Sequence, residues 1–258
     1  MEDRAVMPTA ITDEQGETLA GRAAVTRDYP SAATDLFSRW RASNTDFQDH
    51  FVEDGIIDPA KWVRAGTRIL FVLRETNGYR GNIAALIHKA CTTHPSSKLW
   101  DRPTFHNVGR WAHGLLHATD ATLPTFEDAH KNRKTALLAC AFMNLKKTTG
   151  GARATEAVEH AAARDAVFLR EQIELINPQV VVCGGTYSAI KQHIYPAIRR
   201  VGPRVHEAGG RLFINANHPS YLKKTAEMYD DVVGNYQRYQ AASKATTRPP
   251  PAHSSSQP

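Results

Sequence analysis

One stretch of the chain decides its fold class: Arg68-Ile69-Leu70-Phe71-Val72-Leu73-Arg74-Glu75-Thr76-Asn77. The apolar side chains at residues 69–73 follow one another without alternating polar residues. Such a run is typical of a strand that is covered on both faces of its sheet. The polar residues that follow mark the end of a strand predicted over residues 68–73.

The same continuous apolar pattern recurs along the chain. Apolar runs predict further strands over residues 137–143, 180–183 and 212–215. Between the second and third runs, apolar residues recur at helical spacing over residues 155–176, and Asn177-Pro178 ends that helix. Strands that alternate with helices predict an α/β fold: a three-layer α/β/α sandwich with a central, mainly parallel four-stranded sheet.

Further helices are predicted over residues 30–41, 186–199 and 224–239. The 258 residues of the chain suffice for one α/β domain with a sizeable core. We expect a catalytic domain over residues 29–240. Residues 1–28 are polar without a clear period, and residues 241–258 are rich in Ser, Thr and Pro, so both ends are expected to be disordered.

Composition narrows the class of protein. Hydrophobic residues make up 41% of the chain, and no apolar run approaches the length of about 18 residues that a membrane span needs. With no apolar leader at the N-terminus, we expect a cytoplasmic protein with no membrane partner. The net charge of +6 favours a polyanionic partner, nucleic acid before others.

The three cysteines, Cys91, Cys140 and Cys183, are scattered and form no C-x-x-C pair. A disulfide framework or a cysteine-based metal site is therefore not expected. The latter two lie in apolar runs, which is typical of small core residues.

A short segment follows each predicted strand, at residues 74–77, 144–147, 184–185 and 217–220; three of these segments carry polar side chains, and the third is Gly184-Gly185. In open parallel sheets, ligands bind at the carboxyl ends of the strands, so these segments should converge on one crevice. Their side chains include the carboxylate of Glu75, the amide of Asn144, the imidazole of His218 and two lysines. Together, these groups could serve one reaction.

Each of these groups suits one part of a reaction on nucleic acid. The amide of Asn144 can read the edge of a base through its paired donor and acceptor. The carboxylate of Glu75 can stabilise a sugar cation and orient water. The imidazole of His218 can hydrogen-bond a departing anion, and Lys146 and Lys147 can hold phosphates at the rim.

In their order along the chain, these motifs resemble those of the uracil-DNA glycosylase superfamily. Residues 73–77 resemble the family's first motif and put Glu75 at its acidic position. Asn144 stands where the family reads the base. The run His218-Pro219-Ser220-Tyr221-Leu222 is similar to the closing motif, with Leu222 at the wedge position. The resemblance covers about residues 69–222.

The resemblance implies a divergent member of this family that flips a nucleotide out of double-stranded DNA and cleaves its N-glycosidic bond. The product would be an abasic site, and no cofactor or metal would be needed. We expect a monomer. An aromatic platform for the base is also expected, with Phe105 and Tyr79 favoured. The implied site residues are, for catalysis, Glu75 and His218; for base binding, Asn144, Asn77, Phe105 and Tyr79; and for DNA binding, Lys146, Lys147, Ser220, Leu222 and Lys223.

The base to be excised depends on Asn77. Family members strict for uracil carry a tyrosine there, which blocks bulk at the 5-position of the pyrimidine. With Asn77 and Gly78 in its place, the resemblance favours a 5-modified pyrimidine, such as the glucosylated hydroxymethylcytosine of some phage DNAs, and a role in anti-phage defence. The alternative substrate is uracil, in base-excision repair.

Alternatives of other classes stay open. The chain could be a non-catalytic DNA-binding module or a hydrolase of small nucleotides. Each residue alone also has an ordinary structural interpretation: Glu75 as a surface ion-pair partner, Asn144 as a turn residue and His218 as a loop histidine.

Overall fold

The computed structural model describes residues 19–47, 50–150 and 155–247. Within them, seven strands form one mixed sheet in the order β1-β3-β2-β4-β7-β6-β5. In chain order the strands are β1 (Gly55–Ile56), β2 (Ile69–Leu73), β3 (Ala141–Asn144), β4 (Val180–Gly184), β5 (Arg199–Arg200), β6 (Val205–Ala208) and β7 (Arg211–Ala216).

The four central strands, β3, β2, β4 and β7, are mutually parallel and correspond to the four predicted strands. The α/β class is thereby confirmed. The prediction of a four-stranded sheet is wrong, because β1, β5 and β6 extend the sheet with antiparallel edges. These three added strands are short, and β5 consists of two exposed arginines, so they leave no apolar run in the sequence.

Helices connect the strands. They are α1 (Leu19–Ala42), α2 (Pro59–Arg64), α3 (Ile83–Thr92), α4 (Pro103–His117), α5 (Phe126–Leu138), α6 (Thr155–Arg164), α7 (Ala166–Ile176), α8 (Tyr187–Ala189), α9 (Thr225–Tyr229) and α10 (Asn235–Thr247). The π-helical turns Ile190–Ile194 and Asp230–Gly234 continue α8 and α9. A 3-10 turn, Lys98–Asp101, precedes α4.

Several predicted boundaries change in the structure. Leu137 and Leu138 end α5 instead of starting a strand, since a short apolar run fits a buried helix end equally well. The single helix predicted over residues 155–176 is two helices that meet at Asp165. The helix predicted over residues 186–199 ends at Ile194, and β5 follows.

The first and last described helices extend past the ends of residues 29–240. Helix α1 begins at Leu19, inside the segment predicted to be disordered, and α10 continues to Thr247. Residues 1–18 and 248–258, the remainder of the two predicted disordered segments, lie outside the described residues. Among the described helices, none combines the length and apolar character that a membrane crossing requires.

Two apolar cores cover the two faces of the sheet. On one face, Ile69, Phe71 and Leu73 of β2 pack with residues of α3, α4 and α5. On the other, Leu70 and Val72 pack with residues of α1, α6 and α7. All residues of β2 are buried, as its continuous apolar run predicts.

The chain leaves two neighbouring strands in opposite directions. After β2 it enters α3, which belongs to the first core, and after β4 it enters α8, which belongs to the second. Since β2 and β4 are adjacent, their outgoing loops diverge and leave a crevice at the carboxyl edge of the sheet.

Candidate functional site

A cavity of about 1010 Å³ lies at this carboxyl edge. Leu73 pairs with Asn144 across β2 and β3, and Gly184 pairs with Ala216 across β4 and β7, so the residues that follow emerge at the same edge. The opposite wall comes from residues of α3, the 3-10 turn and the start of α4. The cavity is lined by eight of the predicted site residues: Glu75, His218, Asn144, Asn77, Phe105, Tyr79, Ser220 and Leu222.

Glu75 is paired with Lys146, a lysine that was predicted to bind DNA at the rim of the crevice. Lys146 Nζ lies 2.5 Å from Glu75 Oε2 and donates to the carbonyl oxygen of Thr149 at 3.0 Å. The Lys146 side chain is 16% exposed and its ammonium group is paired with Glu75, whereas the sequence predicted a rim lysine that holds phosphate. Gly150 packs against the carboxylate so closely that a Cβ there would overlap it. The carboxylate is thus fixed in position at the wall of the cavity.

Asn144 ends β3 with its side chain almost fully buried. Its backbone N–H donates to Asp54 Oδ2 at 2.8 Å, which fixes the end of the strand. Its side-chain Nδ2 has no hydrogen-bond partner among the described residues. A buried donor left without an acceptor costs about 1–3 kcal/mol. A ligand that brings an acceptor into the cavity would remove that cost.

His218 is oriented by the loop that carries it. The backbone N–H of Ser220 donates to His218 Nδ1 at 3.3 Å, and Ser220 Oγ lies 2.8 Å from the same nitrogen. A nitrogen that accepts a hydrogen bond from an N–H carries no proton, so the neutral ring has its proton on Nε2. Burial and the nearby guanidinium of Arg74 lower the pKa of His218 to about 4. At neutral pH the side chain is therefore an uncharged Nε2–H donor.

We expect His218 to stay neutral as the pH is lowered to about 5.5, because its pKa lies below that value. Long-range ¹H–¹⁵N spectra should show the Nε2–H tautomer throughout. The depressed pKa also means that folding stability contributed by the neutral ring is lost as the pH falls from 6.5 towards 4. Ser220→Ala keeps the backbone N–H and should keep the tautomer. A wild-type titration midpoint near 6.5 would contradict the prediction.

The loop after β7 is anchored to α4 by a residue that the sequence did not single out. Asn107 Nδ2 donates to the carbonyl oxygen of Pro219 at 2.7 Å, and its Oδ1 accepts from Arg110 Nη1 at 2.8 Å. Asn107 is 3% exposed. This hydrogen bond joins residues 112 positions apart and fixes the loop next to His218. No local sequence pattern predicts it.

Aromatic and apolar side chains border the same cavity. Phe105 is half-buried and stacks on Phe142, with ring centroids 5.9 Å apart and an interplanar angle of 24°. The Tyr79 hydroxyl donates to the carbonyl oxygen of Asn82 at 3.1 Å. Leu222 is 100% exposed and Tyr221 is 60% exposed. Leu222 therefore belongs to the surface beside the cavity and not to the core.

Lys147 was predicted to contact DNA, and this prediction is wrong because its side chain is fully buried. Lys147 Nζ lies 2.6 Å and 2.8 Å from the two carboxylate oxygens of Asp54. Gln172 Nε2 donates to the same carboxylate at 2.7 Å. Burial lowers the pKa of Lys147, and the Asp54 carboxylate opposes that shift. Asp54 also accepts from the backbone N–H of Asn144 and so links the end of β3 to Gln172 of α7.

Lys223, the third predicted DNA-binding lysine, is also paired with a carboxylate. Its Nζ lies 2.6 Å from Asp231 Oδ2. Two basic residues of the opposite wall, Lys98 and Arg102, line the cavity instead. Sequence reasoning missed them because they follow no strand. In the part of the chain that the structure describes, no group of three or more His, Cys, Asp or Glu residues is placed to hold a metal ion.

Comparison with known proteins adds no relative. No protein-family model matches the chain. A search of curated proteins likewise finds no similar sequence. A functional proposal therefore rests on the geometry of the cavity and on the resemblance of its motifs.

Proposed function

We propose that this protein is a DNA glycosylase that flips a nucleotide into the cavity, excises its base and leaves an abasic site. One observation carries the proposal: a single cavity brings together a fixed carboxylate, a buried amide donor without a partner and a neutral imidazole donor. A non-catalytic DNA-binding module would have no use for a carboxylate and an imidazole arranged in this way.

Base flipping costs a few kcal/mol, which contacts inside the cavity offset. Phe105, supported from behind by Phe142, provides a flat face on which a base can stack. Asn144 Nδ2 donates to an acceptor on the edge of the base. Leu222, fully exposed beside the cavity, fills the gap that the flipped nucleotide leaves in the stack.

Bond cleavage follows from the two remaining groups. As the N-glycosidic bond breaks, its electron pair leaves with the base and C1′ becomes cationic. His218 Nε2–H donates to the negative charge that develops on the base. The Glu75 carboxylate stabilises the sugar cation and orients the water whose oxygen then bonds to C1′. The water's proton passes to solvent or to the departing base.

A 5-modified pyrimidine is the substrate that the cavity favours. Asn77 is exposed, and the space around Gly78 is open, with no atom within 4 Å of where a Cβ would be. The volume of about 1010 Å³ lies at the upper end of the range for drug-sized ligands, and so exceeds what an unmodified base requires. Glucosylated hydroxymethylcytosine in phage DNA fits this description. The protein would then act in the cytoplasm as a monomer in anti-phage defence.

The test is abasic-site formation on matched duplexes that contain glucosylated hydroxymethylcytosine, hydroxymethylcytosine, cytosine or uracil at one position. We expect release of the substituted base and little release of unmodified cytosine. Strong uracil release without action on modified DNA would instead assign the protein to uracil repair. Salt-dependent binding to every duplex without an abasic site on any of them would identify a DNA-binding module.

A further inference from the structure

We propose that Lys98 and Arg102 bind the DNA phosphates that flank the flipped nucleotide. The inference rests on the proposed function and adds to it the residues that hold the DNA backbone. It replaces the lysines that the sequence pattern suggested for that task.

Those three lysines are occupied. Lys146 is paired with Glu75, Lys147 with Asp54, and Lys223 with Asp231. A lysine already paired with a carboxylate contributes little to a phosphate contact, because the pair would have to be broken. The backbone of bound DNA therefore needs other cations at the cavity.

Lys98 and Arg102 have the required position and freedom. Both line the cavity and both are exposed. Among the described residues neither has an acidic partner within ion-pair distance. Asp101 lies between them in the chain, but it does not line the cavity. Of the charged residues that do, three are basic and only Glu75 is acidic, and Glu75 is already paired with Lys146.

The two cations are mounted on a fixed support. Lys98 begins the 3-10 turn and Arg102 follows it. Ser97, just before the turn, accepts at its Oγ from the backbone N–H of Leu99 at 3.3 Å. Trp100 of this turn is 8% exposed, and its Nε1 donates to the carbonyl oxygen of Ala90 at 3.1 Å. Arg102 also precedes α4, whose N-terminal end borders the cavity and adds a favourable dipole for an anion.

Salt dependence of DNA binding tests the proposal. Each phosphate that is neutralised contributes about 0.9 to the slope of log Kobs against log salt on duplex DNA. The double variant K98Q/R102Q should therefore reduce that slope by about 1.8 when binding is measured between about 50 and 200 mM salt. The probe is a duplex with the substituted base at its centre.

A matched control is available on the other face of the sheet. Lys61 and Arg64 are exposed on α2, which packs through Trp62 on the second core. K61Q/R64Q makes the same charge change and should leave the slope unchanged. Both double variants should have the same thermal unfolding midpoint as the wild type, because the replaced side chains are exposed.

The outcomes separate the inference from the proposed function. An unchanged slope for K98Q/R102Q overturns the phosphate role, even where the wild type binds and excises. If K98Q/R102Q kept the wild-type slope but released only substituted bases more slowly, the two residues would contact the substituent on the base. That result would also overturn the phosphate role. Wild-type protein that shows no salt-dependent DNA binding would reject the proposed function itself.

Discussion

Replacing Asp54 by Ala should lower the free energy of unfolding by about 3–5 kcal/mol, the usual cost of leaving one buried charge without its partner. Lys147 would remain buried without the carboxylate with which it pairs. The backbone N–H of Asn144 and the side-chain amide of Gln172 would lose their acceptor as well. Urea denaturation followed by circular dichroism at pH 7 measures the change.

The double variant D54A/K147M provides the control for this prediction. It removes both buried charges, and burying an apolar side chain in place of the lysine recovers much of the lost stability. We expect the double variant to be more stable than D54A alone. A D54A protein within about 1 kcal/mol of the wild type would show that the pair contributes little.

Replacing Glu75 by Gln should slow base excision about 10³-fold, within the range of 10²–10⁴ typical of a positioned acid–base group. Glutamine keeps the shape of the side chain and an acceptor for Lys146, but it cannot stabilise a sugar cation with a full negative charge. Single-turnover abasic-site formation, with enzyme in excess over a duplex of the true substrate, measures the effect.

Binding and a distant carboxylate provide the controls for Glu75. E75Q should bind the same duplex as tightly as the wild type, because the change affects the reaction and not the DNA contacts. Glu127, exposed at the start of α5, gives the matched variant E127Q, which should excise at the wild-type rate. Full excision by E75Q would remove Glu75 from the proposed reaction.

Much of the central sheet could be predicted from the sequence, because its four parallel strands are continuous apolar runs. Burial on both faces forces that composition. The antiparallel strands could not be predicted in the same way. Residues of β6 other than Val205 are only half-buried, and pairing with β7 determines their conformation. Leu137 and Leu138 belong to an apolar run but end helix α5, because such a run does not distinguish a strand from a buried helix end.

Some residues of the candidate site could be predicted from the sequence, and others could not. Glu75, Asn144 and His218 could be proposed from sequence because each follows a buried strand, and strand ends meet. The role of Lys147 could not, since a lysine in a polar segment is normally solvated. Its burial depends on Asp54, which lies 93 positions away. Lys98 and Arg102 belong to the wall opposite the sheet, which no strand pattern locates.

The order in which the strands occur along the chain has a consequence during synthesis. β7 is the last of the parallel strands to leave the ribosome, and His218 follows it. Until β7 pairs with β4, the cavity lacks one wall and the imidazole donor. A nascent or prematurely terminated chain that stops before β7 can therefore complete neither the sheet nor the site. The proposed base-excision activity would therefore require a chain that has been extended past β7 and His218.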